Sequence, residues 1–269
     1  MGGGLSEINS EDWHLHNRRT RILRFAALLI TAVLLLVSWQ ALGVRYDYAI
    51  SAPVYLSDLL GRMFPPNAGY TGEILGPLLE TVHIAILGTI LAILMALPVA
   101  FISAHNTTPN KITYVLGKFI ISFSRSVNVI IWALFFVIVF GPGALAGVVS
   151  VAVRSIGFTA KLLSEAIEEI DFGQVEAIDA TGAGPFLILI YSIVPQVKPA
   201  FVSIATYRWD INVRAASVLG LVGAGGIGVE LQTSVNSYAW GSVLTIMLAI
   251  LGVVIISELV SAYFRKKVS

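Results

Sequence analysis

The side chains of this chain that are able to do chemistry are charged groups set inside apolar sequence. Arg208, Asp210 and Arg214 lie within residues 196–222, a stretch that is otherwise mostly apolar. Asp210 and Arg214 are four residues apart and can pair on one face of a helix, whereas Arg208 lies off that face. Two roles are open to them: ion pairs that fix helix packing, or a surplus of arginine over aspartate that offsets the charge of an anion.

The sequence contains no pattern for covalent or metal chemistry. It has no Cys, which excludes disulfides, iron–sulfur clusters and thiolate-bound metals. Its four histidines do not form an H-E-x-x-H pattern or another metal-ligand spacing. No G-x-x-x-x-G-K-[ST] phosphate loop occurs, so ATP hydrolysis would have to take place on another polypeptide. We therefore expect no catalytic residue, no metal and no cofactor in this chain.

A glycine-rich stretch follows the charged segment. Residues 223–228 satisfy the dinucleotide-binding pattern G-x-G-x-x-G, but no acidic residue occurs in 243–251, where one would hold a ribose. Small residues four apart (Gly220 with Ala224, Ala224 with Gly228) favour close helix approach in lipid, and consecutive glycines permit sharp bends. The alternatives are a tight external turn or a bent helix end that lines a gate, formed by Gly223, Gly225 and Gly226.

Composition indicates that these residues belong to a membrane protein. Of the 269 residues, 12% are charged and 57% are hydrophobic, whereas an average soluble domain is ~25% charged. Too few charges remain to cover a surface in water, and the chain is too apolar to be disordered. A net charge of +1 gives no reason to expect nucleic acid as a partner. The length fits one compact unit embedded in lipid.

Six stretches are long and apolar enough to cross a bilayer, which takes about 20 residues of helix. Gly141-Pro142-Gly143 divides one long charge-free run into two of them. The basic residues before the first stretch also fit a signal peptide, but its apolar run is too long and lacks a clear cleavage site, which favours an uncleaved anchor. The sequence thus predicts an all-α protein with six transmembrane helices, near 25–44, 81–104, 114–140, 144–166, 196–222 and 240–257.

Basic residues are distributed unevenly between the two sides of this arrangement. Only Arg45 and Arg62 fall in loops on one side, so the positive-inside rule makes both termini cytoplasmic. Segment 54–64 has apolar residues at helical spacing, and it either lies flat at the outer surface or forms an ordinary loop helix. The predicted organisation is a cytoplasmic tail 1–24, a transmembrane anchor 25–44, an external loop 45–77 and a core 78–269 with a cytoplasmic loop 165–195.

The loop 165–195 is acidic and carries a distinctive spacing of residues. Glu176 and Ala177 are followed by Gly182 and then Pro195. This pattern resembles E-A-A-x3-G-x9-I-x-L-P, the cytoplasmic signature of permease subunits in binding-protein-dependent ABC importers. The resemblance implies a short coupling helix that turns at Gly182 into a second helix ending before Pro195, and that docks on an ATPase subunit. The implied coupling residues are Glu176, Ala177, Asp179, Gly182 and Pro195, and the departures from the signature are Ile178, Ser192 and Val194.

The resemblance covers about residues 81–267 and points to the phosphonate-importer branch of that family. It implies a methionine-permease-like type I fold, with a core of five helices plus one N-terminal helix, that works as a homodimer in the cell inner membrane. It also implies two cytoplasmic ATPase subunits that hold ATP and Mg²⁺, and an external binding protein that delivers phosphonate or a related oxyanion. The segments that carry the resemblance are Leu97-Pro98, Asn106 through Asn110, Arg125 with Trp132-Ala133-Leu134, Lys161 through Asp171, Tyr207 through Arg214 and Leu219 through Gly228.

On this interpretation Arg208 and Arg214 line the translocation route, with Asp210 beside them, and substrate moves by alternating access. One alternative is a permease for another solute, such as an amino acid or a quaternary amine. A self-powered secondary transporter is a second alternative, although the chain shows no internal repeat. The sequence does not distinguish phosphonate, phosphite and phosphate, and it assigns no role to Arg125 or Arg154.

Overall fold

The computed structural model describes residues 18–43 and 45–268, and every regular element in these ranges is helical. Residues 1–17 of the predicted tail, and position 44 at the end of the predicted anchor, lie outside the described residues. Short 3₁₀ turns cover Ala68–Tyr70 and Gly220–Val222, and a π-helical turn covers Leu189–Ile193. The α-helices in chain order are α1 Arg18–Ala41, α2 Tyr46–Met63, α3 Thr71–Ser103, α4 Lys111–Ser126, α5 Val129–Phe140, α6 Ala144–Glu168, α7 Phe172–Asp179, α8 Pro185–Ile188, α9 Val194–Leu219, α10 Ile227–Asn236 and α11 Trp240–Val268.

The chain divides into two compact units, Met1–Asp58 and Leu59–Ser269. In the first unit, α1 is one continuous apolar helix that already begins at Arg18, so the basic residues predicted to close the tail form its first turns. In the second unit, α3, α6, the helix that includes α9, and α11 are each long and apolar enough to cross a membrane. The described helices therefore give five candidate spans, or six when α4 and α5 count as one bent span. The predicted all-α membrane fold is confirmed.

The span predicted near 114–140 consists of two helices, α4 and α5, that are together long and apolar enough for one span but are bent. α4 and α5 are separated by Val127 and Asn128, and the two helices are bent by 92°. Both intervening residues have extended backbone, and the Asn128 side chain accepts a hydrogen bond from the backbone N–H of Ile130 at 3.0 Å. Asparagine is favoured at a helix start because its side chain satisfies such an N–H. The helix therefore stops and restarts here although the hydropathy of the run is continuous.

The segment 45–77, predicted as an external loop, is largely helical. α2 occupies Tyr46–Met63 and so includes the segment 54–64 with its helical spacing. α3 begins at Thr71, well before the predicted start of the span at 81, and it continues through Pro77. Hydropathy marks only the length that lipid can cover, whereas α3, with 33 residues, is longer than the ~20 that a bilayer requires.

The core of the second unit lies between α3, α6 and α9 and is built from small residues. α3 contributes a stripe of buried alanines, Ala85, Ala92, Ala96 and Ala100. Gly157 of α6 lies against α4, where an added Cβ would stand 2.6 Å from the carbonyl oxygen of Ile121. Small residues are typical of helix contacts in lipid, because packing there depends on close approach of the backbones. This close packing brings side chains from α4, α6 and α9 within reach of one another.

Hydrogen bonds join the loops of the second unit in two sets, one at each end of its helices. At one end, the backbone N–H of His105 donates to Glu168 Oε1 at 2.7 Å, and that of Asp171 donates to Gln196 Oε1 at 2.8 Å. At the other end, the N–H of Gly143 donates to the Gly223 carbonyl at 2.9 Å, and Tyr70 Oη donates to Glu230 Oε2 at 2.8 Å. We call them the Glu168 end and the Gly223 end.

The second half of the predicted loop 165–195 is helical and continues into α9 without a break. α8, the π-helical turn and α9 form one continuous helix that extends to Val222. The predicted end of the loop helix before Pro195 is therefore wrong, and the span predicted near 196–222 is part of a helix that begins earlier, at Pro185. Pro195 lies in the first turn of α9, directly after the π turn, whose Leu189 carbonyl accepts from the N–H of Val194. Because Pro195 has no N–H to donate, the wider turn before it lets the helix continue.

Candidate functional site

Two of the three charged residues that the sequence singles out on α9 neutralise each other. The Arg214 guanidinium forms an ion pair with the Asp210 carboxylate, as their spacing predicts. The other carboxylate oxygen accepts a hydrogen bond from Ser257 Oγ of α11 at 3.1 Å. Asp210 is buried and Arg214 is half exposed. This pair therefore joins α9 to α11, and helix packing is the role that its contacts support.

Arg208 points away from this pair into the bundle, where buried polar side chains hold it. Its Nη2 donates to Ser155 Oγ of α6 at 2.9 Å, and Ser155 Oγ donates to Asn212 Oδ1 at 2.9 Å. Asn212 Nδ2 donates to Thr89 Oγ1 of α3 at 2.9 Å. Each hydroxyl in this relay accepts one hydrogen bond and donates another, since Thr89 Oγ1 in turn donates to the Ala85 carbonyl at 2.6 Å. The orientation of Arg208 is thus fixed by three helices and by neutral groups only.

Three arginines from three helices converge on one aromatic ring. The guanidinium carbons of Arg125 on α4, Arg154 on α6 and Arg208 on α9 lie 4.5, 5.1 and 5.0 Å from the ring centroid of Phe158. These distances allow cation–π interaction, which extends to ~6 Å. Arg154 and Phe158 share a face of α6 because they are four residues apart. We call these four residues the Phe158 cluster.

The Phe158 cluster carries positive charge without an acidic partner. Within residues 18–43 and 45–268, no carboxylate lies within 4.0 Å of the three guanidinium groups. Arg208 is 2% exposed, and its Nε has no hydrogen-bond partner; the buried Nε of Arg154 has none either. A ring has only two faces, so stacking on Phe158 cannot satisfy three guanidinium groups. Because an unpaired buried charge is costly, this arrangement favours an anion as the missing partner.

The Phe158 cluster lies midway along the bundle. Arg154 is near the middle of α6, which has 25 residues, and Arg208 is near the middle of α9, which has 26. Ser124 Oγ of α4 accepts a hydrogen bond from the Gly157 N–H at 3.0 Å, which sets the end of α4 and Arg125 at the same level. A helix of such a length spans roughly 37 Å at 1.5 Å per residue, so the cluster is far from both ends.

Four of the predicted coupling residues lie in an exposed segment that consists of α7 and the turn at Gly182. We call this segment the elbow. α7, Phe172–Asp179, carries Glu176 and Ala177 and ends at its last residue, the predicted Asp179; no residue of α7 is buried. The Asp171 side chain caps its start by accepting a backbone N–H at 2.9 Å. Gly182 has φ +77° and turns the chain into α8, as predicted. The fifth predicted residue, Pro195, lies beyond the elbow in α9.

The predicted gate glycines form a tight turn between α9 and α10. Their φ angles are +81°, +80° and +78° for Gly223, Gly225 and Gly226. The turn packs on α3, where Thr81 Oγ1 accepts a hydrogen bond from the N–H of Ile227 at 2.7 Å. The close approach occurs between Gly220 and Gly228, at which added Cβ atoms would lie 2.6 and 2.9 Å from the other residue's Cα. These contacts support the first of the two interpretations of these glycines, a tight turn. Their role in a gate stays a prediction.

The described ranges contain no group of three or more His, Asp or Glu side chains able to hold a metal ion. Two of the four histidines, His14 and His16, lie outside these ranges. His105 makes an edge contact with the Tyr114 ring, with centroids 6.2 Å apart.

Of the Phe158 cluster, Arg125 and Arg154 were noted in the sequence without a role, and Phe158 was not noted at all; their convergence with Arg208 was not predicted. A signal was available for two of them, because an arginine and an aromatic residue four apart in an apolar helix share one face. The position of Arg125 beside the Phe158 ring depends on where α4 ends, and no local sequence pattern indicates that end. The partners of Arg208 were likewise not predictable beyond Asn212, which is four residues further along the same helix.

Comparison with known proteins gives one family. A family model described as the inner membrane component of binding-protein-dependent transport systems matches residues 73–269. The phosphite transport system permease protein PtxC of Stutzerimonas stutzeri is 36% identical over 239 residues, which cover 88% of this chain and 86% of that protein. The phosphate-import permease protein PhnE of Mycolicibacterium smegmatis is 39% identical over 208 residues, which cover 77% of this chain and 39% of that protein.

Solved structures give the same fold. The chain resembles an inward-facing MetNI methionine ABC transporter with a TM-score of 0.64 and 22% identity, over 76% of this chain and 99% of that one. It also resembles an amino acid ABC transporter crystallised with histidines, with a TM-score of 0.63 and 18% identity, over 74% and 95% of the two chains. The predicted methionine-permease-like type I core is thereby confirmed.

Proposed function

The chain belongs to the family of binding-protein-dependent transport system inner membrane components, and from this premise we propose that it carries a phosphorus oxyanion into the cell. The observation that carries the proposal is the similarity to PtxC along most of both chains. The names of the relatives mention phosphite, phosphate and phosphonate, which share a tetrahedral anionic head. The proposed substrate class is defined by this shared head.

A transport subunit of this family works with an ATPase and a substrate-binding protein, and it is not an enzyme. In our proposal two ATPase subunits hold ATP and Mg²⁺ and dock on the elbow that carries Glu176 and Ala177. The elbow suits docking because its side chains are exposed and its helix α7 is capped at the start by Asp171. The basic residues favour placing the Glu168 end and both termini in the cytoplasm. The binding protein then meets the Gly223 end outside.

The translocation route in this proposal lies between two copies of the chain. A single copy with five core helices encloses at most half of a pathway, so a homodimer supplies the other half. ATPase closure would move the elbow, and the helix that contains α9 would follow, which exchanges inward- and outward-open states. Of the two arginines proposed from the sequence to line the route, Arg208 keeps that role, because the charge of Arg214 is already neutralised.

The test is uptake by the purified chain reconstituted in vesicles with its ATPase and binding protein. We expect ATP-dependent uptake of phosphite, methylphosphonate or phosphate, and none when the ATPase is left out. Glu176→Lys reverses a charge on the elbow and should lower both co-purified ATPase and uptake at least tenfold. Glu169→Lys makes the same change on an exposed residue outside α7 and serves as the control.

Three results would contradict the proposal. Uptake by the chain alone with an ion gradient would indicate a self-powered transporter instead. Uptake of an amino acid or amine, with no response to any of the three oxyanions, would overturn the substrate class. Stoichiometric binding of the ATPase to the Glu176→Lys chain would show that docking takes place elsewhere.

A further inference from the structure

We propose that the Phe158 cluster is a binding subsite for the phosphorus oxyanion on its way across the membrane. The inference rests on the proposed function and names the residues that contact the cargo. Arg125, Arg154 and Arg208 would donate N–H groups to the oxyanion. Ser155 and Asn212 are positioning residues, because they hold Arg208 in place.

The charge balance of the bundle is the first observation behind this subsite. The α9 pair Asp210–Arg214 shows how the chain neutralises a guanidinium group that serves packing. The three arginines of the Phe158 cluster have no such carboxylate in the part of the chain that the structure describes. A charge placed midway across a bilayer requires a partner or water. An anionic cargo supplies that partner when it passes.

The second observation is that hydrogen-bond donors remain unused at this point. A guanidinium group carries five N–H donors in a planar fork that matches carboxylate and phosphate oxygens. Arg208 uses Nη2 toward Ser155, whereas its buried Nε has no partner, and the buried Nε of Arg154 has none. Donors that approach from α4, α6 and α9 can bind separate oxygens of one tetrahedral anion. Charge-assisted hydrogen bonds of this kind are the stronger class.

The third observation is a gradient of exposure across the cluster. Arg125 is exposed, Arg154 is half buried, and Arg208 is buried. An oxyanion that reaches the surface of the subunit would therefore meet Arg125 first and then the two deeper arginines. Each arginine belongs to a different helix, so a shift of one helix changes how many of them reach the anion at once. The subsite would thus bind differently in the two states of the transport cycle.

The experiment uses the assembled transporter in vesicles and measures phosphite uptake and ATP hydrolysis together. Arg125→Gln is the main variant, because this side chain is exposed and the fold does not bury it. Arg125→Gln and Arg154→Gln should each lower the phosphite taken up per ATP hydrolysed at least tenfold, with assembly unchanged. Lys161→Gln removes a charge from the same helix as Arg154, but this lysine is already paired with Glu165 at 2.9 Å. It should change uptake less than twofold.

The outcomes separate this inference from the proposed function. Wild-type complexes that take up phosphite, together with Arg125→Gln and Arg154→Gln complexes that do so equally well, would overturn the subsite alone. An equal loss in Lys161→Gln would also overturn it, because the total charge of the bundle would then matter rather than the cluster. Wild-type complexes that move no phosphorus oxyanion would overturn the proposed function and the subsite with it.

Discussion

The contact between α4 and α6 depends on the missing side chain of Gly157. A Cβ at this position would lie 2.6 Å from the carbonyl oxygen of Ile121 and 2.9 Å from Cγ of Arg125. Ordinary contacts begin at 3.4 Å, and a backbone oxygen cannot rotate aside. In Gly157→Ala, α4 would therefore have to move away from α6 by roughly 0.8 Å, the difference between 3.4 and 2.6 Å.

Two opposing effects determine the change in unfolding free energy in Gly157→Ala. Overpacking of this kind costs ~1–3 kcal/mol, while replacing glycine by alanine inside a helix gains up to ~1 kcal/mol. Gly252→Ala in α11 has the same gain without a clash, because nothing lies within 4 Å of a Cβ built there. The difference in unfolding free energy between the two variants should therefore isolate the clash and amount to ~1–3 kcal/mol.

The assay is thermal and denaturant unfolding of both purified variants in the same detergent, beside the wild type. We expect Gly157→Ala to unfold at the lowest temperature and Gly252→Ala at or slightly above that of the wild type. Uptake should fall in Gly157→Ala as well, because a displaced α4 carries Arg125 away from the Phe158 ring. Equal midpoints for the two variants would refute the close packing of α4 on α6.

Two further predictions concern the polar contacts of α9. Asn212→Leu removes the amide that accepts a hydrogen bond from Ser155 and donates one to Thr89. The unfolding free energy should therefore fall by ~1–2 kcal/mol. A variant that is as stable as the wild type in denaturant would count against this chain of hydrogen bonds. Arg214→Gln leaves the buried Asp210 without its cation and should lower stability by about 1 kcal/mol, since Arg214 is half exposed. Adding Asp210→Asn should restore it, and uptake per folded complex should stay near wild type; a lasting uptake defect in the double variant would assign Arg214 to the route.

Local rules were sufficient for features that depend on neighbouring residues. The turn Gly141-Pro142-Gly143 in an apolar run predicted a span that begins at 144, and α6 occupies Ala144–Glu168. The spacing of Asp210 and Arg214 predicted their ion pair, because residues four apart share a helix face whatever surrounds them. Gly182 was likewise recognised as a turn, since glycine readily takes the left-handed conformation seen there.

Features that depend on direction or on tertiary packing were not predictable. Hydropathy sums composition along a run and carries no information about a bend, so the break at Val127 and Asn128 went unseen. Hydropathy also underestimated the length of α3, because polar residues at its start extend the helix beyond the apolar run. The Phe158 cluster needs three helices to meet at one level, and neither the end of α4 nor its approach to α6 is encoded in a local pattern.

The unbroken helix from Pro185 to Val222 carries Arg208 and begins three residues after Gly182, where the elbow ends. About 23 residues separate Pro185 from Arg208, a lever arm of roughly 34 Å at 1.5 Å per residue. If this helix pivots near the elbow without bending, a tilt of about 10° sweeps the guanidinium group sideways by roughly 6 Å. That displacement exceeds the 5.0 Å between Arg208 and the centre of the Phe158 ring. A tilt of this size at the protein surface would therefore be large enough to separate Arg208 from the Phe158 ring inside the bundle.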